Sequence, residues 1–297
     1  MPDVKYRIAE LPIVTYMKKL FALVLAVSGS AASAQTPTTN PMPDGSRDMY
    51  AGLGVVSAPR YEGADSRKVR ALPVLQVQWS NGVFVSGMSA GMHLSASPIF
   101  EYGPLLAVHP RRTESGTGAG IGEVSGSQSL LPTSVRTFAS DNPLSGMDEI
   151  KTRLEAGAFF NYYLSPEWRL TSSVLAGAGN DRNGVRGEIG IQRLAMQLAP
   201  HHTVSVSAGV SVANRAYHQG YFGVTAVQAA SSGNPEYHPD GGLKDVRIGA
   251  RWNWALSSSW MLTSSVQASR LLGDARRSPL VERSNNVTVS TAFAYRF

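Results

Sequence analysis

The tightest constraint on this chain lies in its last eleven residues, Val287-Thr-Val-Ser-Thr-Ala-Phe-Ala-Tyr-Arg-Phe297. A β-strand turns successive side chains to opposite faces. Val287, Val289, Thr291, Phe293, Tyr295 and Phe297 therefore share one face, while Thr288, Ser290, Ala292, Ala294 and Arg296 share the other. The first face is apolar and aromatic; the second is small and polar. A half-buried soluble strand alternates in the same way. A final aromatic, preceded by aromatics two and four residues back, adds a membrane signature. It places rings at a bilayer interface, the apolar face on lipid and the polar face on a lumen.

This ending resembles the terminal assembly signal of bacterial outer-membrane β-barrels. Phe293, Tyr295 and Phe297 would carry that signal, with the barrel-assembly machinery and outer-membrane lipid as partners. Composition agrees. Charged residues make up 16% of the chain, against about 25% in ordinary soluble domains. Yet no segment reaches the ~18 consecutive apolar residues of a spanning helix. There is no Cys, so neither disulfides nor thiol chemistry enter. Without the first 34 residues, 23 basic residues face 19 acidic ones, and they are scattered. Nucleic-acid binding needs a clustered basic patch, so nucleic acid is not an expected partner.

Met17-Lys18-Lys19, the apolar run Leu20 to Val27, and Ala32-Ser-Ala34 form a positive n-region, an h-region and an A-x-A cleavage site. The expectation is cleavage after Ala34, a true start at Met17, and residues 1–16 as an over-long start. Residues 35–47 are rich in Pro and Thr and read as a disordered linker.

From residue 48 to 297 strand follows strand, giving an all-β fold: a transmembrane antiparallel barrel. Val69 to Trp79, Thr203 to Ala213 and Lys244 to Leu256 alternate most clearly. Pro73 lacks an N–H and predicts a bulge or local disruption. Short turns at 165–167, 200–202 and 257–259 belong at one end. Pro59–Lys68 and the long loops at 110–149 and 214–242 belong at the other, the pattern of periplasmic turns and extracellular loops. Eleven strands are visible, including a single one over 82–94, whereas bacterial single-chain barrels have an even number. A twelfth is expected near Leu131–Ala139; ten or fourteen are the other readings. Helical periodicity is nowhere sustained after residue 34.

Motifs of chemistry are weak. Gly87-Met-Ser89-Ala-Gly91 fits G-x-S-x-G, but a hydrolase elbow needs a helix after the turn, and here a strand pattern continues. None of the six histidines has metal-ligand spacing. His218 and His238 share a loop with Glu236 and Asp240, which reads more simply as solvated loop than as a metal site. No catalytic residue, cofactor or metal is expected. Tyr217-His-Gln-Gly-Tyr221-Phe222 gathers aromatics on a loop, which either packs into the barrel mouth or makes a recognition surface. Tyr61, Glu62, Tyr217, Tyr221 and Phe222 are the candidate loop interaction residues.

Taken together, residues 50–297 resemble the MltA-interacting protein (MipA/OmpV) family of outer-membrane proteins. The resemblance rests on Gly52-Leu-Gly54, Pro59-Arg-Tyr61-Glu62-Gly63, Leu72-Pro73, Tyr102-Gly103-Pro104-Leu105 and Glu155-Ala-Gly157-Ala-Phe159. Tyr221-Phe222-Gly223-Val224-Thr225, Leu271-Leu272-Gly273-Asp274, Ser278-Pro279-Leu280-Val281 and the Tyr-x-Phe end continue it. His109-Pro-Arg-Arg-Thr-Glu114 replaces a Gly-Arg-Asp step common in the family. The resemblance implies a non-enzymatic scaffold in the outer membrane. Its partners would be a murein lytic transglycosylase and a penicillin-binding synthase. Alternatives are a passive channel or a surface-loop binding protein such as an adhesin or antigen. A lumen blocked by the 214–242 segment would favour the scaffold over the channel.

Overall fold

A computed structural model describes residues 47–118 and 142–297. The expected leader, the start at Met17, most of the 35–47 linker and the Leu131–Ala139 stretch lie outside the described residues. Fourteen described strands are present. They are β1 (Arg47–Pro59), β2 (Arg67–Trp79), β3 (Val83–Ser86), β4 (Ser89–Met92), β5 (Phe100–His109), β6 (Arg112–Thr113) and β7 (Gly116–Thr117). They continue with β8 (Arg153–Ser165), β9 (Trp168–Ala178), β10 (Gly184–Ala199), β11 (His202–Ala213), β12 (Gly242–Ala255), β13 (Trp260–Leu271) and β14 (Asn285–Arg296).

Twelve of these close an antiparallel barrel in sequence order, with β14 pairing back onto β1; β6 and β7 form a separate hairpin. Each of the twelve has a neighbour on both sides, which limits the unpaired backbone polar groups that lipid would face. The closing seam runs from Tyr50↔Arg296 to Ser57↔Val289 without a register shift.

The strand count of twelve holds, but the twelfth strand comes from elsewhere than expected. The stretch 82–94 is a hairpin of two four-residue strands, not one strand. Gly87 turns the chain at φ +55°, a left-handed conformation that costs glycine little. Ser86 pairs with Ser89 across the turn. A second glycine permits the hairpin to dock, because a Cβ on Gly103 would lie 1.7 Å from the Met92 carbonyl oxygen.

Pro73 makes no bulge. The β1–β2 ladder runs unbroken through Leu53↔Pro73. On its other side β2 pairs with β3 only over Gln76–Gln78. The residue that cannot donate thus sits where the strand has one barrel partner.

Alternation sets the two faces. Lys68, Arg70, Leu72 and Val74 are buried toward the lumen, while Arg67, Val69, Ala71 and Pro73 face out. In β14, Asn286, Ser290, Ala292 and Ala294 are buried and Val287, Val289, Phe293 and Tyr295 are exposed. Exposed Trp79, Phe100, Tyr102, Phe160, Tyr162, Trp254, Trp260, Phe293 and Tyr295 all lie toward the short-turn end, a single aromatic girdle. Trp260 stacks on Phe293 with ring centroids 4.6 Å apart.

The turns at that end are tight. Ser165 Oγ accepts from Trp168 N at 3.2 Å, and Ser257 Oγ accepts from Trp260 N at 3.1 Å. At the long-loop end the 214–242 segment is partly helical, against expectation. It holds α1 (Arg215–Phe222) and α2 (Ala226–Ser232), and α3 (Gly273–Arg277) follows β13. These helices are too short for a repeating apolar stripe to show in sequence. Asn214 starts α1 by accepting from Tyr217 N, a favoured N-cap contact. Thr225 and Gln228 form a capping box on α2.

Candidate functional site

The lumen beneath the long-loop end holds a chain of ion pairs. Inward positions on β8, β10 and β12 supply Glu155, Arg186, Glu188, Asp245 and Arg247. Arg186 donates to Glu155 Oε2 from Nε and Nη2 at 3.0 and 2.9 Å, and from Nη1 to Glu188 Oε1 at 3.1 Å. Arg247 Nη2 lies 3.0 Å from the same Glu188 oxygen. Lys244 Nζ lies 3.0 Å from Asp245 Oδ2 and 2.7 Å from Glu62 Oε1. Acids and bases alternate, so every charge in this chain has an opposite neighbour. Removing one member of such a buried pair typically costs about 3–5 kcal/mol.

The aromatic loop roofs this network. Tyr217, His218, Tyr221 and Phe222 are buried on α1. Tyr217, Tyr221 and Phe222 pack with Ile150, Ala178, Ala213, Leu271 and Ala275. Tyr217 and Tyr221 stack at 4.5 Å, and His109 meets the Tyr221 ring at 4.9 Å. Arg112, on β6, clasps the helix end. Its Nη1 donates to the Tyr221 carbonyl and its Nη2 to the Gly220 carbonyl at 3.3 Å. Burial pushes the Tyr217 and Tyr221 phenols up and the Arg112 guanidinium down. The phenols therefore stay neutral at ordinary pH.

Of the candidate loop residues, Tyr61, Tyr217, Tyr221 and Phe222 are buried and line the cavity described below. Tyr61 Oη donates to the Leu280 carbonyl at 2.9 Å, and burial followed by the nearby Glu282 carboxylate raises its pKa. Glu62 is half exposed through its side chain and holds Lys244. Phe297 is exposed and its N–H donates to the Met49 carbonyl.

Between the roof and the β3–β4 turn lies a cavity of about 170 Å³. Ser89, His109, Tyr221, Lys244, Arg247 and Asn286 are among its walls. His109 Nδ1 is 3.4 Å from Glu155 Oε1. Ser89 and His109 thus share a cavity beside a carboxylate, yet no hydrogen bond joins Ser89 to His109 among the described residues. Ser89 leads into a strand, not a helix. His238 Nε2 is 2.8 Å from Glu236 Oε1, while His218 Nδ1 meets the Asp240 carbonyl. Among the described residues no three His, Asp or Glu side chains gather as metal ligands.

Arg112, Glu155, Arg186, Lys244, Arg247 and Asn286 had no place among the sequence candidates. For Glu155, Arg186, Arg247 and Asn286 the one signal was a charged or amide side chain at an inward-facing strand position; Arg112 lies on the separate β6–β7 hairpin and Lys244 at a register shift of β12.

Comparison with known proteins finds a family and an outer-membrane relative. The family model described as MltA-interacting protein MipA matches residues 51–297. Outer membrane protein Omp26La of Vibrio anguillarum is 26% identical over 162 residues, which is 53% of this chain and 60% of that relative. The match therefore spans less than two thirds of the relative's length. The NanC porin structure aligns with a TM-score of 0.43 at 9% identity, covering 82% of this chain and 100% of that one. The Pseudomonas putida toluene transporter TodX aligns with a TM-score of 0.36 at 9% identity, covering 91% and 93%. The translocator domain of autotransporter NalP from Neisseria meningitidis gives 0.38 at 12% identity, covering 96% and 95%.

Proposed function

This chain belongs to the MltA-interacting protein (MipA) family and is an outer-membrane β-barrel, and from that premise we propose that it acts as a non-enzymatic scaffold. Its partners in this reading are a murein lytic transglycosylase, after which the family is named, and a penicillin-binding synthase. The observation that carries the reading is the roof. Helix α1 lies over the ion-paired lumen and is clasped there by Arg112. A barrel whose outer mouth is occupied by its own chain suits display better than transport. The short turns at 165–167, 200–202 and 257–259 then form the periplasmic face, and the serine-locked backbones of the first and last supply a preorganised platform.

Immobilised mature protein, challenged with purified murein lytic transglycosylase, is expected to retain it. Planar-bilayer recording of the same preparation is expected to show no conductance steps. Failure to retain either murein enzyme, together with regular steps, would replace the scaffold with a channel. Maturation in this reading removes residues 1–34, and mass spectrometry of the envelope protein is expected to find Gln35 first. Phe293, Tyr295 and Phe297 serve as the assembly signal. Tyr61, Tyr217, Tyr221 and Phe222 hold the roof in place, and Glu62 is the member of that group accessible to a partner.

A further inference from the structure

Around the cavity beneath α1 the charges balance once Glu155, which lies behind the lining, is counted. Arg112, Arg186, Lys244 and Arg247 face Glu62, Glu188, Asp245 and, behind His109, Glu155. Each cation is already engaged, Arg112 by backbone carbonyls and the others by carboxylates. An anionic ligand would have to break one of these pairs, and a cationic one would sit among four cations. A net charge is therefore disfavoured in whatever fills the space.

Two acceptor oxygens in the walls have no donor. Asn286 Oδ1 is buried without a hydrogen-bond partner, in a residue only 9% exposed, and it lines the cavity from β14. Asp245 Oδ1 is likewise buried and unbonded, with Arg247 Nε at 3.6 Å, beyond hydrogen-bond reach. Unmet buried acceptors are costly, and hydroxyl groups would satisfy them. Beside Asn286 stand Gln267, Ser269 and Thr288, neutral side chains that both donate and accept. The Tyr221 ring closes the top.

Size fixes the rest. About 10–15 Å³ of such volume accommodates one water, so a cavity of about 170 Å³ takes roughly a dozen non-hydrogen atoms. That is the scale of one sugar ring with its hydroxyls. We propose that this cavity is a binding site for a neutral, hydroxyl-rich small molecule, a single uncharged sugar unit. The site is independent of the scaffold reading, since the turns that would hold murein enzymes lie at the opposite end.

The test uses the full folded chain in a detergent without a sugar headgroup. D-glucose and N-acetylglucosamine are the neutral probes, glucuronate the anionic one and glucosamine the cationic one. Saturation-transfer NMR reads contact, and the rise in unfolding midpoint with concentration reads affinity. A neutral probe is expected to bind saturably, with both charged analogues at least tenfold weaker. Asn286→Leu, which leaves the ion pairs untouched, is expected to weaken binding by roughly tenfold, the loss of about 1.4 kcal/mol. Should that variant not fold, Thr288→Val is expected to show a weakening of the same sense. Saturation by neither neutral probe overturns the proposal, as does preference for glucuronate or glucosamine. Unchanged affinity in a folded cavity variant also overturns it. A failed pull-down with murein enzymes has no bearing on these readouts.

Discussion

Arg67 on β2 reaches across β1 to donate from Nη1 to the carbonyl of Val287 on β14, at 2.6 Å. On the way its Nη2 donates to the Ser57 carbonyl at 2.9 Å. The last β1–β14 partners are Ser57 and Val289. Arg67 therefore laces the closing seam just where the ladder stops. A carbonyl left unsatisfied next to lipid is costly. Arg67→Ala is expected to lower the unfolding free energy by about 1–2 kcal/mol, read by urea titration of the vesicle-reconstituted protein. Lys at this position is expected to recover only part, because it lacks the planar fork that reaches two carbonyls.

Arg112 is the roof's fastener. Arg112→Ala removes donors from the Tyr221 and Gly220 carbonyls in a buried setting, a loss of about 2–3 kcal/mol locally. Hydrogen exchange is expected to show α1 unprotected while β8–β12 stay protected. Conductance steps absent in the native protein are expected to appear in this variant.

The β3–β4 hairpin depends on Gly87. A β-branched residue cannot adopt its φ of +55° without strain. Gly87→Val is expected to cost about 1–3 kcal/mol and to release amide protection in Val83–Met92 first. Equal loss of protection around the whole barrel would contradict a locally seated hairpin.

Asp274, at the surface, accepts the Asp240 N–H at 2.8 Å. That backbone bond, then the Arg277 guanidinium, holds its carboxyl below the usual carboxylate range. With the folded value depressed, the contact contributes stability above the unfolded value of about 3.9. The contribution is lost as pH falls through the folded value. The Asp240 amide shift in NMR is expected to titrate below about pH 4, and Asp274→Asn is expected to abolish that titration.

The sheet was readable from sequence because lipid and lumen impose opposite chemistry on alternate residues, as in Val69–Trp79 and Val287–Phe297. The hairpin hidden in 82–94 was less plain. Phe84 packs on buried residues and Ser86 lines the cavity before Gly87, and Ser89 lines it after, so the inward phase shifts at the turn. Short alternating runs hide such a shift. The luminal network was beyond reach for another reason. Glu155, Arg186 and Arg247 are brought together by barrel curvature and register across β8 to β12. Sequence reveals that each points inward, but not which charge it meets. Tyr217 and Tyr221 read equally well as a surface or a plug, since burial decides and spacing does not.

Whether the apolar stripe of β14 faces lipid is the claim on which everything else rests. Nitroxide labels placed singly from Val289 to Phe293 in reconstituted vesicles measure it directly, by collision with lipid-dissolved oxygen and with a water-soluble nickel complex. Oxygen contact is expected to peak at 289, 291 and 293 and to dip at 290 and 292. A flat profile, or peaks at 290 and 292, would contradict a barrel with Phe293 turned to the bilayer.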